Sequence, residues 1–449
     1  MHYLLRLACL GALGTVLLVA CGGGGDGENG TPGFLCQGVD CNDDNSCTVD
    51  VCDPADGSCI NTVQEDDSFC DLGYCQAGEC DPIDSIFPCT EQGINDAIAA
   101  GGGPHGFSCT GARLIQTTAE IVIDKDVILD GRDLTIDAGL DHRGFSVTEG
   151  TTADLWRFQI TKGHRQDFES SGGGIYNAEG ATLGLRNCRI TDCEALQPGA
   201  GTGIDGAGGG ILNDGTMTVV NTTVLNNRAT GGGLTARGGG TGGGISNEGT
   251  LTLVQSTIDG NSGVLWGGGL HNGRGLRFLG AVMSVINSTV TNNVSTNVGA
   301  SLGIGGGIAN EGHLRLLSTT VALNNAASGD GIATREGTVT VANSLIYDGC
   351  EGGITSEGYN IESTGNTCRL NKSTDMVEVS AVDLGLELLI DRGGPTKTHG
   401  LKPGSIAINV IPAAACLDLE GQPLTTDQRG VERPQGNTCD VGSFELTQR

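Results

Sequence analysis

Gly242-Gly243-Gly244-Ile245-Ser246-Asn247-Glu248-Gly249-Thr250-Leu251-Thr252-Leu253, closing with Ser256-Thr257-Ile258-Asp259-Gly260-Asn261, is one copy of a unit written six times between Gly172 and Cys350. The other copies open at Gly172, Gly208, Gly267, Gly305 and Gly329, so successive starts lie 36, 34, 25, 38 and 24 residues apart. Each copy holds three short β-prone runs, as in Gly244–Asn247, Thr250–Val254 and Ser256–Asp259. They alternate apolar with small or polar residues, as strands with one buried face do. Asn-, Gly- and Ser-rich turns separate them, and no run has the length or period of a helix. Stacking such units coil on coil gives an all-β parallel β-helix with three strands per coil.

The columns carry physical meaning. Ile175, Ile211, Ile245, Leu270, Ile308 and Ile332 form one inward aliphatic stack, and Asn177, Asn213, Asn247, Asn272 and Asn310 form a second column that Thr334 breaks. Stacked Asn side chains hydrogen-bond along the axis and tolerate tight turns. The Gly triplets are structural, since no Lys-Ser/Thr follows them as a phosphate cradle would require. Longer copies carry insertions at 197–207, 231–241 and 297–304, before the next triplet and so along one edge. The insertion at 275–282 follows a first strand instead.

Met1–Ala20, with Arg6 and an apolar run from Leu7 to Val19, reads as a secretory signal and is short for a membrane span. Leu18-Val19-Ala20-Cys21 resembles a bacterial lipobox, which implies cleavage and lipid attachment at Cys21. A plain signal peptide is the alternative. Gly22 lacks the Asp associated with inner-membrane retention, so the resemblance implies the outer membrane or cell surface, with the lipid holding the chain to the membrane.

Cysteine usage agrees with export. Of 18 Cys, eight crowd between Cys36 and Cys80, where little aliphatic core is available, so four disulfides are expected with open connectivity. The absence of His there disfavours zinc. Cys89 with Cys109, Cys350 with Cys368 and Cys416 with Cys439 fall as sequence pairs. Cys188 and Cys193 bridge only if a turn intervenes near Thr191-Asp192, because five extended residues span ~16 Å against a Cα limit of ~7 Å.

The net charge is −29, and no Lys or Arg occurs between Leu7 and Ala112. Nucleic acid is therefore excluded as a partner. Asp40, Asp43, Asp44, Asp50 and Asp53 are candidate Ca²⁺ ligands, against a plain solvated acidic spacer; no EF-hand pattern and no other cofactor motif is present. The organisation expected is a signal over 1–20, a lipidated Cys and tether over 21–35, a Cys-rich module over 36–82, the β-helix over 83–375 and a C-terminal cap over 376–449.

Several stretches resemble bacterial choice-of-anchor Q proteins. Cys89-Thr90-Glu91-Gln92-Gly93-Ile94 through Ala100 is similar to their capping helix, and Asp124-Lys125-Asp126-Val127-Ile128-Leu129-Asp130-Gly131 to their opening coil. Gly393-Gly394-Pro395-Thr396-Lys397-Thr398-His399, Pro403-Gly404-Ser405-Ile406-Ala407-Ile408, Asp427-Gln428-Arg429-Gly430 and Cys439-Asp440-Val441-Gly442-Ser443-Phe444-Glu445 resemble their closing motif, with Asn409 where Asp is usual. The resemblance implies a right-handed β-helix, a variable means of attachment and no established reaction. The Gly-Gly-Gly-Ile elements are also similar to polymorphic outer-membrane protein repeats, which are adhesins.

No recurring catalytic set appears. Two carboxylates flanking a scissile bond, or a strong base beside a cation, are what a glycoside hydrolase or polysaccharide lyase needs. No Lys lies between Lys162 and Lys372, which leaves only Arg candidates as bases, such as Arg228, Arg274 and Arg315. A carboxylate column runs through Glu179, Asp214, Glu248, Glu311 and Glu336, with Arg274 as its exception. Acidic residues before Gly also serve turn conformation alone. The adjacent outward position holds Tyr176, Leu212, Ser246, His271, Ala309 and Ala333. The candidate ligand surface is therefore Tyr176, Glu179, Asp214, Glu248, His271 and Glu311. It points to a structural or binding lipoprotein acting in adhesion to polysaccharide or a surface protein. An extracellular polysaccharide lyase or hydrolase is the alternative.

Overall fold

The computed structural model describes residue 36 and residues 39–43, 45–53, 55–64, 70, 73–165, 172–196, 207–231, 240–273, 280–297 and 301–447. The signal, Cys21, Asp44, Arg274 and most of the insertions lie outside the described residues. The chain divides into two compact units, one ending at Pro82 and the other beginning at Ile83.

The first unit is built on cross-links. Strands Thr48–Cys52 and Cys59–Val63 pair antiparallel, as do Gly73–Gln76 and Glu79–Pro82. Cys36–Cys52, Cys41–Cys59, Cys47–Cys75 and Cys70–Cys80 are bonded. Cys47 and Cys75 are the apolar residues buried in this unit among those described, so its core is largely sulfur. Cys47, Cys70 and Cys80 also form a compact donor group, but all three are consumed by disulfides. With the three further disulfides of the second unit, this is the cysteine chemistry of an exported chain.

The second unit opens with a short strand, Ser85–Pro88, and a helix, Glu91–Ala100. Thr90 Oγ1 accepts the Gly93 N–H at 3.0 Å to start it, and Ile94, Ala97 and Ile98 face inward. Cys89–Cys109 ties its base. From Ile121 onward the chain winds into a right-handed parallel β-helix. Its first sheet runs in register through Ile121, Phe145, Ile175, Ile211, Ile245, Leu270, Ile308, Ile332 and Cys350. The aliphatic members of this column are fully or almost fully buried, and the second and third strands of each coil add Leu183, Leu251, Leu253, Ile258 and their counterparts. To the three strands read from the sequence, the central coils add a fourth, short one, as in Ser262–Val264.

Three polar ladders close the corners. The expected Asn column is continuous: Asn177, Asn213, Asn247 and Asn272 each donate Nδ2–H to the next Oδ1 at 2.7–2.8 Å, and Asn310 donates to Thr334 Oγ1 at 3.3 Å. A second ladder joins Asn227, Asn261, Asn293 and Asn324, ending on Asp348. A third stacks Thr222, Ser256 and Ser288, with Thr319 and Ser344 further along; the hydroxyls of Thr222, Ser256, Ser288 and Ser344 accept backbone N–H groups from the preceding coil, while Thr319 donates to Val285 O. Cys188 and Cys193 occupy the first rung of the third and second ladders, where their N–H groups bond Thr222 and Asn227. A turn does intervene at Asp192, with φ +56°, yet both thiols are free and buried.

The closing segment lies along the side of the solenoid. Thr257 donates to Lys397 O at 2.6 Å, Thr289 to Gln428 Oε1 at 2.6 Å, and the Ser443 N–H reaches Thr320 Oγ1 at 3.1 Å. Inside this segment Arg433 and Glu445, both wholly buried, pair at 2.9 Å, and Cys416–Cys439 staples it. Cys350–Cys368 closes the last full coils. No helix among the described residues is long and apolar enough to cross a membrane.

Candidate functional site

The outer face of the first sheet carries the candidate surface. In register its outward residues are Ser146, Tyr176, Leu212, Ser246, His271, Ala309, Ala333 and Glu351. Outward does not mean open here. Leu212, Ser246, Ala309 and Ala333 are buried, and His271, expected at the surface, is only 3% exposed. Bridging residues Ala207, Thr241, Trp266, Ile304 and Ser328, each just before the Gly that opens a repeat, run as a parallel row beside this face.

The carboxylate column also changes. Backbone N–H bonds to the preceding Asn carbonyl place Asp214, Glu248, Gly273, Glu311 and Arg335 at equivalent positions, with Ala178 bonding Val147 O at the start. Longer turns follow Asn177 and Thr334, so Glu179 and Glu336 stand outside the column. Gly273 holds the position assigned to Arg274. Glu179 is exposed in its turn and joins neither group described below.

Two groups of side chains assemble. At the first, Tyr176 donates its hydroxyl to Asp214 Oδ2 at 3.0 Å, and Arg143 lies 5.1 Å from the tyrosine ring centre. Glu120 pairs with Arg143 at 2.7 Å and Arg165 at 3.3 Å. Burial alone would raise the Glu120 carboxyl, but the Arg143 charge and hydrogen bonds from Ser146 and Arg143 outweigh it, and its pKa falls below the usual value. The Tyr176 hydroxyl is pushed up to about 12, first by burial and then by the charge of Asp214, with Glu248 adding to it. Tyr176, Asp214 and Glu248 therefore share one field.

At the second, Trp266 stands edge-on to His271, ring centroids 6.3 Å apart, and the Arg335 guanidinium lies 5.1 Å from the indole centre. His271 Nδ1 and Ser246 Oγ are 3.3 Å apart, Ser246 Oγ lies 3.4 Å from Thr241 Oγ1, and His271 Nε2 faces Glu311 Oε2 at 3.5 Å. Ser, His and Glu thus stand in line, but Ser246 and His271 are covered. These side chains back a half-buried indole.

The sequence reading missed Trp266, Arg335, Arg143, Arg165 and Glu120. The available signal was the position of Trp266, immediately before Gly267 on the edge where the insertions emerge. The calcium candidates are separate: Asp40, Asp43 and Asp53 each accept a backbone N–H two residues on, and Asp50 accepts the Asp43 N–H. No three of these carboxylates converge among the described residues.

The class is that of right-handed parallel β-helices. No protein-family model matches the chain, and no curated protein matches it. Among solved structures, the crystal structure of pectate lyase Pel9A is similar, with 13% identity, a TM-score of 0.45, and coverage of 81% of this chain and 96% of that one.

Proposed function

We propose that this chain is a surface-anchored lipoprotein of the choice-of-anchor Q kind, lipidated at Cys21, whose β-helix binds polysaccharide in adhesion. The observation that carries the glycan reading is Trp266: a half-buried indole, backed by His271 and flanked by Arg335, on the outer face of a solenoid. Aromatic faces with polar neighbours are what sugar rings stack on. Tyr176 supplies a second ring three coils away, ~14 Å along the axis at ~4.8 Å per coil. Asp214 and Glu248 lie between them, and Glu311 one coil beyond Trp266, as acceptors for sugar hydroxyls. Cleavage of the polymer is the weaker reading, because Ser246 and His271 are buried.

The test is a glycan array probed with the exported chain, beside Trp266→Ala. Binding that the variant loses supports the proposal. Failure to bind any polysaccharide or cell surface ends it.

A further inference from the structure

The hairpin Thr48–Cys52 with Cys59–Val63 is built inside out. Val51 stands opposite Ile60 and Val49 opposite Thr62, so alternation puts Val49, Val51, Ile60 and Thr62 on one face. That face is open: Val49 is 51%, Val51 51% and Ile60 48% exposed. The opposite face carries Thr48, Asp50, Cys52, Cys59, Asn61 and Val63, and its cysteines and polar groups tie the hairpin to the rest of the unit. Cys52 and Cys59 anchor to Cys36 and Cys41, while Asp43 accepts from Thr48 Oγ1 at 2.9 Å and from Asn61 Nδ2 at 3.0 Å. A fold seeking only burial places β-branched side chains inward and carboxylates outward. Here disulfides hold the more polar face and leave the apolar one exposed, with no partner among the described residues.

Charge names the occupant. Residues 36–82 contain 12 Asp and Glu and no Lys, Arg or His. Asp53 and Asp56 flank the hairpin turn. Such a field repels anionic lipid and nucleic acid and attracts cations. We propose that the Val49, Val51 and Ile60 face is a docking surface for a cationic protein segment that presents aliphatic side chains. The aliphatic contacts supply affinity, and the surrounding carboxylates steer approach and select against acidic partners. This proposal is independent of the glycan reading.

The test uses the full chain and two synthetic peptides of equal length and charge, one alternating Val with Lys and the other Ser with Lys. The Val–Lys peptide is expected to bind about tenfold or more tightly than the Ser–Lys peptide, a ratio that survives added salt while both affinities fall. Val49→Thr, Val51→Thr and Ile60→Thr together should bring the two peptides to the same affinity, with the disulfide map unchanged. Ile60→Thr alone, a smaller change, should narrow the ratio if the triple variant fails to form its disulfides. Asp53→Asn with Asp56→Asn should weaken both peptides by a similar factor. Equal binding of the two peptides, or a ratio indifferent to the threonine variants, overturns the proposal. Binding to zwitterionic vesicles that the threonine variants abolish also overturns it, by assigning the face to a membrane.

Discussion

Trp266 and His271 are five residues apart on opposite sides of a Gly triplet, yet their rings meet edge to face at 6.3 Å and 65°. The triplet makes this possible. Gly267 has φ +66°, and a Cβ there would stand 2.2 Å from Leu270 O. The chain reverses in three small residues and sets the indole over the outward side of its own first strand. The conformation that builds the coil therefore also positions the candidate ligand ring.

The Asn ladder should behave as one hydrogen-bonded column. Asn247 is wholly buried; it accepts from Asn213 and donates to Asn272 Oδ1, Gly249 O and Val282 O. Asn247→Ala removes these bonds and deprives the buried Asn272 Oδ1 of its donor, and should cost on the order of 2–4 kcal/mol, visible as a lowered Tm. Thr250→Ala, three residues on at an exposed position, should leave Tm nearly unchanged.

Cys188 and Cys193 should be silent thiols. Burial pushes both up to about 12, so neither offers a thiolate near neutrality. A maleimide should leave both unlabelled in the native protein and label both after unfolding without reductant, as read by peptide mass mapping. Labelling of either under native conditions contradicts their placement in the ladders.

Arg433 and Glu445 form a buried pair on which the closing segment turns. Arg433 also donates to Gly442 O at 3.0 Å, and Glu445 accepts the N–H groups of Gln435 and Asp440. Arg433→Met strands the carboxylate and should cost about 3–5 kcal/mol. Limited proteolysis should then cut the segment after 390 while far-UV dichroism stays β-rich, because the coils hold their own core.

Two groups in the closing segment give opposite pH signatures. His399 bonds Thr291 at 3.0 Å and Glu387 O at 2.6 Å, and burial lowers its pKa below 6.5. Its contribution to stability is present above 6.5 and is lost as pH falls through the lowered folded value. Asp440 is raised to about 6, first by burial and then by Glu445, so its contribution is present below the usual 3.8 and is lost as pH rises through about 6. In Tm measured against pH, His399→Gln should flatten the acid limb. Asp440→Asn should lose the gain that the parent shows on acidification below about 6. Curves parallel to the parent's would contradict both assignments.

The inward half of this fold was legible. Ile at one position and Asn two residues later recur with a regularity only a stacked coil explains, and both columns stand as read. The second Asn ladder was not legible, because Asn226-Asn227 and Asn292-Asn293 look like turn residues. In each pair the first takes positive φ and the second points into the interior. The side-docked closing segment was hidden for a related reason: Thr257, Thr289 and Thr320 resemble ordinary outward strand threonines until a partner 100 or more residues away is known. His271 shows the same limit. Alternation tells which side of a strand a residue takes, whereas what lies over that side is decided by residues such as Trp266 and Thr241 in other turns.

Glycan binding at the indole face has a direct optical reporter. Trp156 is only 3% exposed, so Trp266 is the tryptophan in contact with solvent. Intrinsic fluorescence should be recorded while the exported chain is titrated with the polysaccharides that an array selects. The account predicts a saturable blue shift that Trp266→Phe removes and Tyr176→Ala weakens. Binding with emission unchanged, or a shift that persists in Trp266→Phe, would contradict it.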